Sequence, residues 1–72
     1  MEDSRIVKII ISDLSLEALK LEDELETTMN SSIEINEKVV KIKELLGKIT
    51  QNEAMIFKFT QLLSTASNNN KT

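Results

Sequence analysis

Branched apolar side chains recur at alternating spacings of four and three residues in the middle of the chain. The set consists of Ile35, Val39, Ile42, Leu46 and Ile49. Because an α-helix turns once every 3.6 residues, this spacing places all of them on one stripe of a helix. Such a stripe must be hidden from water, and another helix is the surface that it fits. The pattern therefore predicts a helix over residues 35–49 that packs against a second helix.

The same seven-residue register extends over most of the chain. Positions in steps of seven from Val7 to Leu63 are apolar except at Thr28. A second stripe is apolar over residues 11–25 and again over residues 39–46. The register predicts an all-α fold whose helices pack as a coiled coil or a helical bundle. The apolar members of the two stripes are Val7, Ile11, Leu14, Ala18, Leu21, Leu25, Ile35, Val39, Ile42, Leu46, Ile49, Ile56 and Leu63.

A first helix is predicted over about residues 4–27. Asp3 or Ser4 is a suitable N-cap, because either side chain can accept a hydrogen bond from a free amide of the first turn. The run at residues 6–11 is rich in isoleucine and valine, and read alone it also fits a strand. The phase of the heptads favours a helix, and the strand is the alternative.

Both stripes become polar together at Thr28 and Ser32, in a stretch rich in threonine, serine and asparagine. These residue types have low helix propensity, and Ser31 with Glu34 fits a capping box that would start a new helix. The sequence therefore predicts a turn at about residues 28–32 and a second helix over about 33–64. That helix is expected to run through Gly47. The alternative is one long bent helix without a turn.

A turn near Asn30 folds the two predicted helices into an antiparallel hairpin. All of its layers are apolar outside the turn. The predicted pairs are Leu25 with Ile35, Leu21 with Val39, Ala18 with Ile42, Leu14 with Leu46 and Ile11 with Ile49.

The distribution of charge also favours antiparallel pairing. Residues 1–30 contain eight acids and three bases, whereas residues 31–72 contain four acids and six bases. A parallel in-register homodimer would set Lys38 against Lys43 and is therefore disfavoured. Exposed ion pairs contribute only about 0–1 kcal/mol each, so they select an orientation without supplying the stability. The pairs expected in the hairpin are Glu17 with Lys43, and Glu22 and Glu24 with Lys38.

The apolar surface widens toward the end of the second predicted helix, and the first arm is expected to be too short to cover it. A helix that is apolar on several sides is covered by more than one neighbour. We therefore expect an oligomeric assembly with other α-helical subunits or with copies of the same chain. The widened surface contains Ile56, Phe57, Phe59, Leu62 and Leu63. Residues 65–72 have no apolar period and are predicted to form a disordered tail outside the helical region 1–64.

Composition argues against most chemistry. The chain has no cysteine and no histidine, which excludes disulfides, thiol chemistry and the usual zinc ligands, and neither a catalytic site nor a cofactor is expected. An acidic cluster at residues 22–26 points in several directions on a helix and fits a solvated face better than a metal site. Lysines alternate with glutamates, so no nucleic-acid surface is expected. No apolar run is long enough to span a membrane, and a soluble intracellular protein is the expectation.

These observations predict a non-enzymatic structural subunit that joins a multi-helix complex through its heptad stripes. The alternative is a small regulatory protein that binds and inhibits or sequesters one target through its apolar C-terminal helix. A regulator should be stable alone, whereas an obligate subunit should need its partners.

Overall fold

The computed structural model of the chain is an antiparallel hairpin of two helices. It describes residues 2–71, with side chains for residues 4–65. Helix α1 spans Glu2–Met29 and helix α2 spans Ile35–Lys71, and the hairpin is about 57 Å long. The all-α prediction is confirmed for these residues, which contain no strand. The two alternatives, a strand at residues 6–11 and a single long helix, are both wrong.

The helix boundaries differ from the predicted ones at the turn. Helix α1 continues to Met29, and the connection occupies residues 30–34, later than the predicted turn at 28–32. Helix α2 runs through Gly47 without a break, as expected. Helical backbone extends to Lys71, while the side chains of residues 66–71 and the whole of Thr72 lie outside the described residues. Almost all side chains of the predicted tail at 65–72 lie there, and the disorder of the tail stays a prediction.

Helix α1 ends on hydrogen bonds to the carbonyl oxygen of Thr28. The amide of Ser31 donates to this oxygen at 3.1 Å, and the Ser31 hydroxyl donates to it at 2.7 Å. The ammonium group of Lys38, from α2, donates to the Ser31 carbonyl oxygen at 2.9 Å. Helix α1 has no basic residue in its own last turn, so Lys38 supplies the positive charge that a helix C-terminus favours.

Helix α2 begins with Glu34 as its N-cap. The Glu34 carboxylate accepts hydrogen bonds from the amides of Asn36 at 3.1 Å and Glu37 at 3.4 Å, and its carbonyl oxygen accepts the first helical bond from Lys38 at 2.9 Å. The predicted capping box with Ser31 as the N-cap is therefore wrong. Ser31 belongs to the end of α1, and Glu34 takes the capping role three residues later.

This later start shifts the pairing of the helices by six residues. The side-chain amide of Asn52 donates to the carbonyl oxygen of Leu14 at 3.2 Å, and Leu21 packs in one cluster with Leu45. The predicted partners of Leu14 and Leu21 were Leu46 and Val39, so the predicted register is wrong. The pair of Leu14 and Asn52 has its midpoint at residue 33 instead of 30. Moving the midpoint by three residues shifts each pairing by six.

The core of the hairpin is small. Its buried apolar side chains are Leu14, Leu21, Leu45 and Ile49, and the half-buried Leu25 packs against the last three. No described side chain is fully buried. Two helices alone shield each other on one side only, so every core residue keeps some contact with solvent.

Candidate functional site

The buried seam between the helices uses a different stripe of α2 from the predicted one. Leu45 is buried with 4% of its surface exposed, whereas its neighbour Leu46 is 47% exposed. Seven further buried or half-buried positions of α2 belong to the same face, either in steps of seven from Leu45 or between those steps. The seam side of α2 therefore contains Lys38, Ile42, Leu45, Ile49, Asn52, Ile56, Phe59 and Leu63.

Helix α1 presents the predicted stripes to this seam. Its buried or half-buried members are Val7, Ile11, Leu14, Ala18, Leu21, Leu25 and Thr28. In the observed register Val7 is level with Phe59, and Ile11 is level with residues 55–56. The shift of six residues thus carries α1 further along α2 than predicted, and it gives Ile56, Phe59 and Leu63 a neighbouring helix.

Asn52 lies in the middle of the seam, with 5% of its surface exposed. Its amide nitrogen bonds to Leu14, but its side-chain oxygen Oδ1 is buried and has no hydrogen-bond partner among the described residues. A buried polar atom without a partner costs about 1–3 kcal/mol. In coiled coils a single buried asparagine trades stability for a defined register. The bond from Asn52 to Leu14 joins one position of α2 to one position of α1 and is specific to this register.

Five of the predicted interface residues lie outside the seam. They are exposed on α2, and they are Ile35, Val39, Leu46, Phe57 and Leu62. The predicted pairing of the first three with α1 is wrong, because α2 is rotated away from the predicted stripe. Whether any of the predicted interface residues contacts a partner chain stays a prediction.

Four of these exposed residues share one side of α2, which we call the α2 flank. It consists of Ile35, Val39, Leu46 and Phe57. Leu46 lies eleven residues, about three helical turns, from both Ile35 and Phe57, so the three side chains project in nearly the same direction. The flank lies roughly a quarter turn from the seam. Helix α2 therefore has two apolar faces, and the hairpin covers only one.

Helix α1 also leaves large apolar side chains exposed. These are Ile6, Ile9, Leu16, Leu19 and Met29. Their exposed fractions range from 54% to 63%. Like the α2 flank, where Thr50 and Glu53 lie between Leu46 and Phe57, this set is interrupted by polar residues such as Ser12 and Asp13.

The charged residues predicted to pair have other neighbours. An open groove on the side opposite the α2 flank is lined by Glu17, Glu24, Lys20 and Lys48, together with Asp13 and Asn52. Glu17 therefore shares this groove with Lys48 rather than lying beside Lys43. Lys38, predicted to meet Glu22 and Glu24, bonds to the Ser31 carbonyl oxygen instead.

Neither a metal-binding cluster nor a membrane-spanning helix is present in the described part of the chain. It contains no cluster of three or more acidic, histidine or cysteine side chains that could hold a metal ion. Neither helix has a stretch both long enough and apolar enough to cross a membrane.

Comparisons of the chain with protein-family models, with curated proteins and with solved structures found no match. The apolar surfaces of the hairpin are therefore the observations on which a functional proposal can rest.

Sequence reasoning missed the seam positions Lys38, Leu45 and Asn52. They recur in steps of seven, but two of the three are polar, so a search for apolar periodicity passes over the series. The adjacent pair of Leu45 and Leu46 was the available signal, since either leucine could have joined the buried stripe.

Proposed function

We propose that this chain is a non-enzymatic structural subunit of a larger helical assembly. The observation that carries the proposal is the imbalance between its buried and exposed apolar side chains. Among the described residues four hydrophobic side chains are buried, whereas thirteen large ones are exposed. Single exposed leucines are common on protein surfaces, but contiguous apolar faces mark interaction sites.

The small core supports the same conclusion. A domain of this size gains only a few kcal/mol from a single core, and small scaffolds usually add disulfides, metals or partners. The sequence has no cysteine, and the described residues contain no metal cluster. Association with other helices is the remaining source of stability, and the exposed α2 flank is one apolar face available for it.

The mechanism is burial of the exposed faces against partner helices. Each fully buried leucine, isoleucine or phenylalanine side chain stabilises an assembly by about 1.5–3 kcal/mol. The seam keeps the hairpin in one register, and the α2 flank then presents its side chains at fixed spacing.

A small regulatory protein is the second candidate, favoured by the exposure of Phe57 at 62% and of Leu62 near the end of α2. An exposed aromatic side chain is the kind of anchor that a pocket on a single target could accept. This function requires the hairpin to be folded and monomeric before it meets its target.

Stability in isolation separates the two candidates. The chain is expressed alone, purified, and analysed by light scattering and circular dichroism, and its complex is isolated from the source cell for native mass determination. We expect a chain that associates when concentrated and a cellular complex of fixed stoichiometry. A helical monomer at all concentrations, found in the cell only with one target in transient complexes, would contradict the structural role and support the regulatory one.

A further inference from the structure

We infer that a second copy of this chain packs on the α2 flank, with the two α2 helices antiparallel about a two-fold axis beside Leu46. The inference rests on the proposed assembly function and names its first partner. It is drawn from the spacing of the exposed side chains, from the charges beside them and from the net charge of the two helices.

The spacing of the flank makes it complementary to itself. In a two-fold symmetric contact the same surface patch is used by both copies. If the axis passes beside Leu46, the two Leu46 side chains meet, and Ile35 of one copy is level with Phe57 of the other. This match follows because Ile35 and Phe57 lie eleven residues on either side of Leu46. Both are exposed in the hairpin, at 70% and 62%, and each would be covered by the other.

The charges beside the flank select the antiparallel direction. In a parallel in-register pair, Lys43 would face Lys43 and Glu53 would face Glu53 across the contact. In the antiparallel pair about Leu46, Glu53 is level with Val39 of the second copy. Lys43 of that copy lies one helical turn beyond its Val39, about 6 Å along the helix axis. Like charges are separated, and each glutamate is within reach of a lysine on the other chain.

The distribution of net charge indicates which helices meet. Residues 1–30, which include α1, contain eight acids and three bases, whereas residues 31–72 contain four acids and six bases. A contact through the α2 flank is made by the half of the chain with the smaller net charge. A contact through the exposed side of α1 would bring two strongly acidic helices together, which costs free energy.

The test uses the full chain and a matched pair of variants. Sedimentation equilibrium of the purified protein should give twice the chain mass of 8.2 kDa. Leu46→Glu places two carboxylates opposite each other at the two-fold axis and should weaken association by about tenfold or more. Helicity measured by circular dichroism should not change, because Leu46 is outside the seam. Leu16→Glu introduces the same charge at a similarly exposed position of α1 and should leave the dimer intact.

The charge pair and the geometry are tested separately. Lys43→Glu and Glu53→Lys should each weaken the dimer, and the double exchange should restore it. Because the chain has no cysteine, single cysteines can report the contact. Leu46→Cys should form a disulfide-linked dimer on mild oxidation, and a mixture of the Ile35→Cys and Phe57→Cys proteins should form the mixed disulfide in preference to either homodimer. Leu16→Cys should not cross-link.

Three results would overturn the inference: a wild-type monomer well above micromolar concentration, a dimer indifferent to Leu46→Glu, or preferred cross-linking of Ile35→Cys to itself. These results are distinct from failure of the assembly role. A purified monomer that is still recovered from cells in a complex of fixed stoichiometry with other subunits excludes the second copy alone.

Discussion

The two faces of α2 carry similar kinds of side chain, but only one face is buried in the hairpin. The seam face buries Leu45 and Ile49 against α1, while the α2 flank, a quarter turn away, leaves Leu46 and Phe57 in water. Both faces contain branched and aromatic residues, but the seam face has six apolar side chains and the α2 flank has four. The two faces also differ in the polar side chains that they present to α1.

Two polar side chains of α2 make contacts that require the observed rotation of α2 about its own axis. Asn52 reaches the Leu14 carbonyl oxygen only when the seam contains the stripe of Leu45. Lys38, on the same stripe, bonds to the end of α1 at the turn. If the stripe of Val39 and Leu46 faced α1 instead, both polar side chains would lose these partners. Hydrogen bonds specific to this rotation thus add to the larger number of apolar side chains on the seam face.

The largest expected effect separates the two faces directly. Ile49→Asp buries a carboxylate in the seam and removes a core side chain, which should cost about 3–5 kcal/mol and unfold a hairpin of this size. Leu46→Asp, one turn away on the α2 flank, should leave the hairpin helical. Circular dichroism with thermal melting measures both. Equal loss of helix in the two variants would remove the distinction between the faces.

A smaller effect is expected when the polar residue of the seam is replaced. Asn52→Leu removes the buried Oδ1 and its unpaired cost, so the free energy of unfolding should rise by about 1–2 kcal/mol. The register should become less defined, because no polar group then distinguishes it. Denaturant titration measures the stability, and cross-linking of cysteines introduced at Glu17 and Lys48, which line the same groove, measures the register. A more stable protein with an unchanged, single register would show that Asn52 does not select it.

The N-cap of α2 tests what fixes the length of the turn. Glu34→Ala removes the acceptor for the amides of Asn36 and Glu37 and should lower the free energy of unfolding by about 1 kcal/mol. Glu44→Ala, an exposed glutamate in the middle of the same helix, is the control and should be nearly silent. Chemical denaturation of both variants measures the difference. A loss as large in Glu44→Ala would show that the effect is not capping.

The smallest expected effect is a gain on the exposed side of α2. A Cβ atom built on Gly47 meets nothing within 4 Å, and the residue has ordinary helical φ. Gly47→Ala should therefore stabilise the hairpin by about 0.5–1 kcal/mol through helix propensity alone. Thermal melting of the monomeric Leu46→Glu background isolates this gain from association. Destabilisation in that background would reveal a contact that the hairpin does not contain.

The sequence predicted the helices more accurately than their pairing. The heptads located α1 and α2, and the run of low helix propensity at residues 27–32 indicated the turn. The register was missed because Glu34, and not Ser31, caps α2. A glutamate is not among the preferred N-cap residues, so residue preferences predicted the wrong N-cap for α2. This error of three residues in the N-cap accompanied an error of six residues in the pairing of the helices.

By itself, the sequence determined that this chain forms two amphipathic helices joined near residue 30, because apolar periodicity and helix propensity are local properties. Only the tertiary structure decided which face of α2 is buried. That choice depends on contacts between residues far apart in the chain, above all the bond from Asn52 to Leu14. The apolar stripe from Ile35 to Ile49 is therefore divided between two faces of α2. Ile42 and Ile49 belong to the seam, while Ile35, Val39 and Leu46 form the flank for which we propose a second copy.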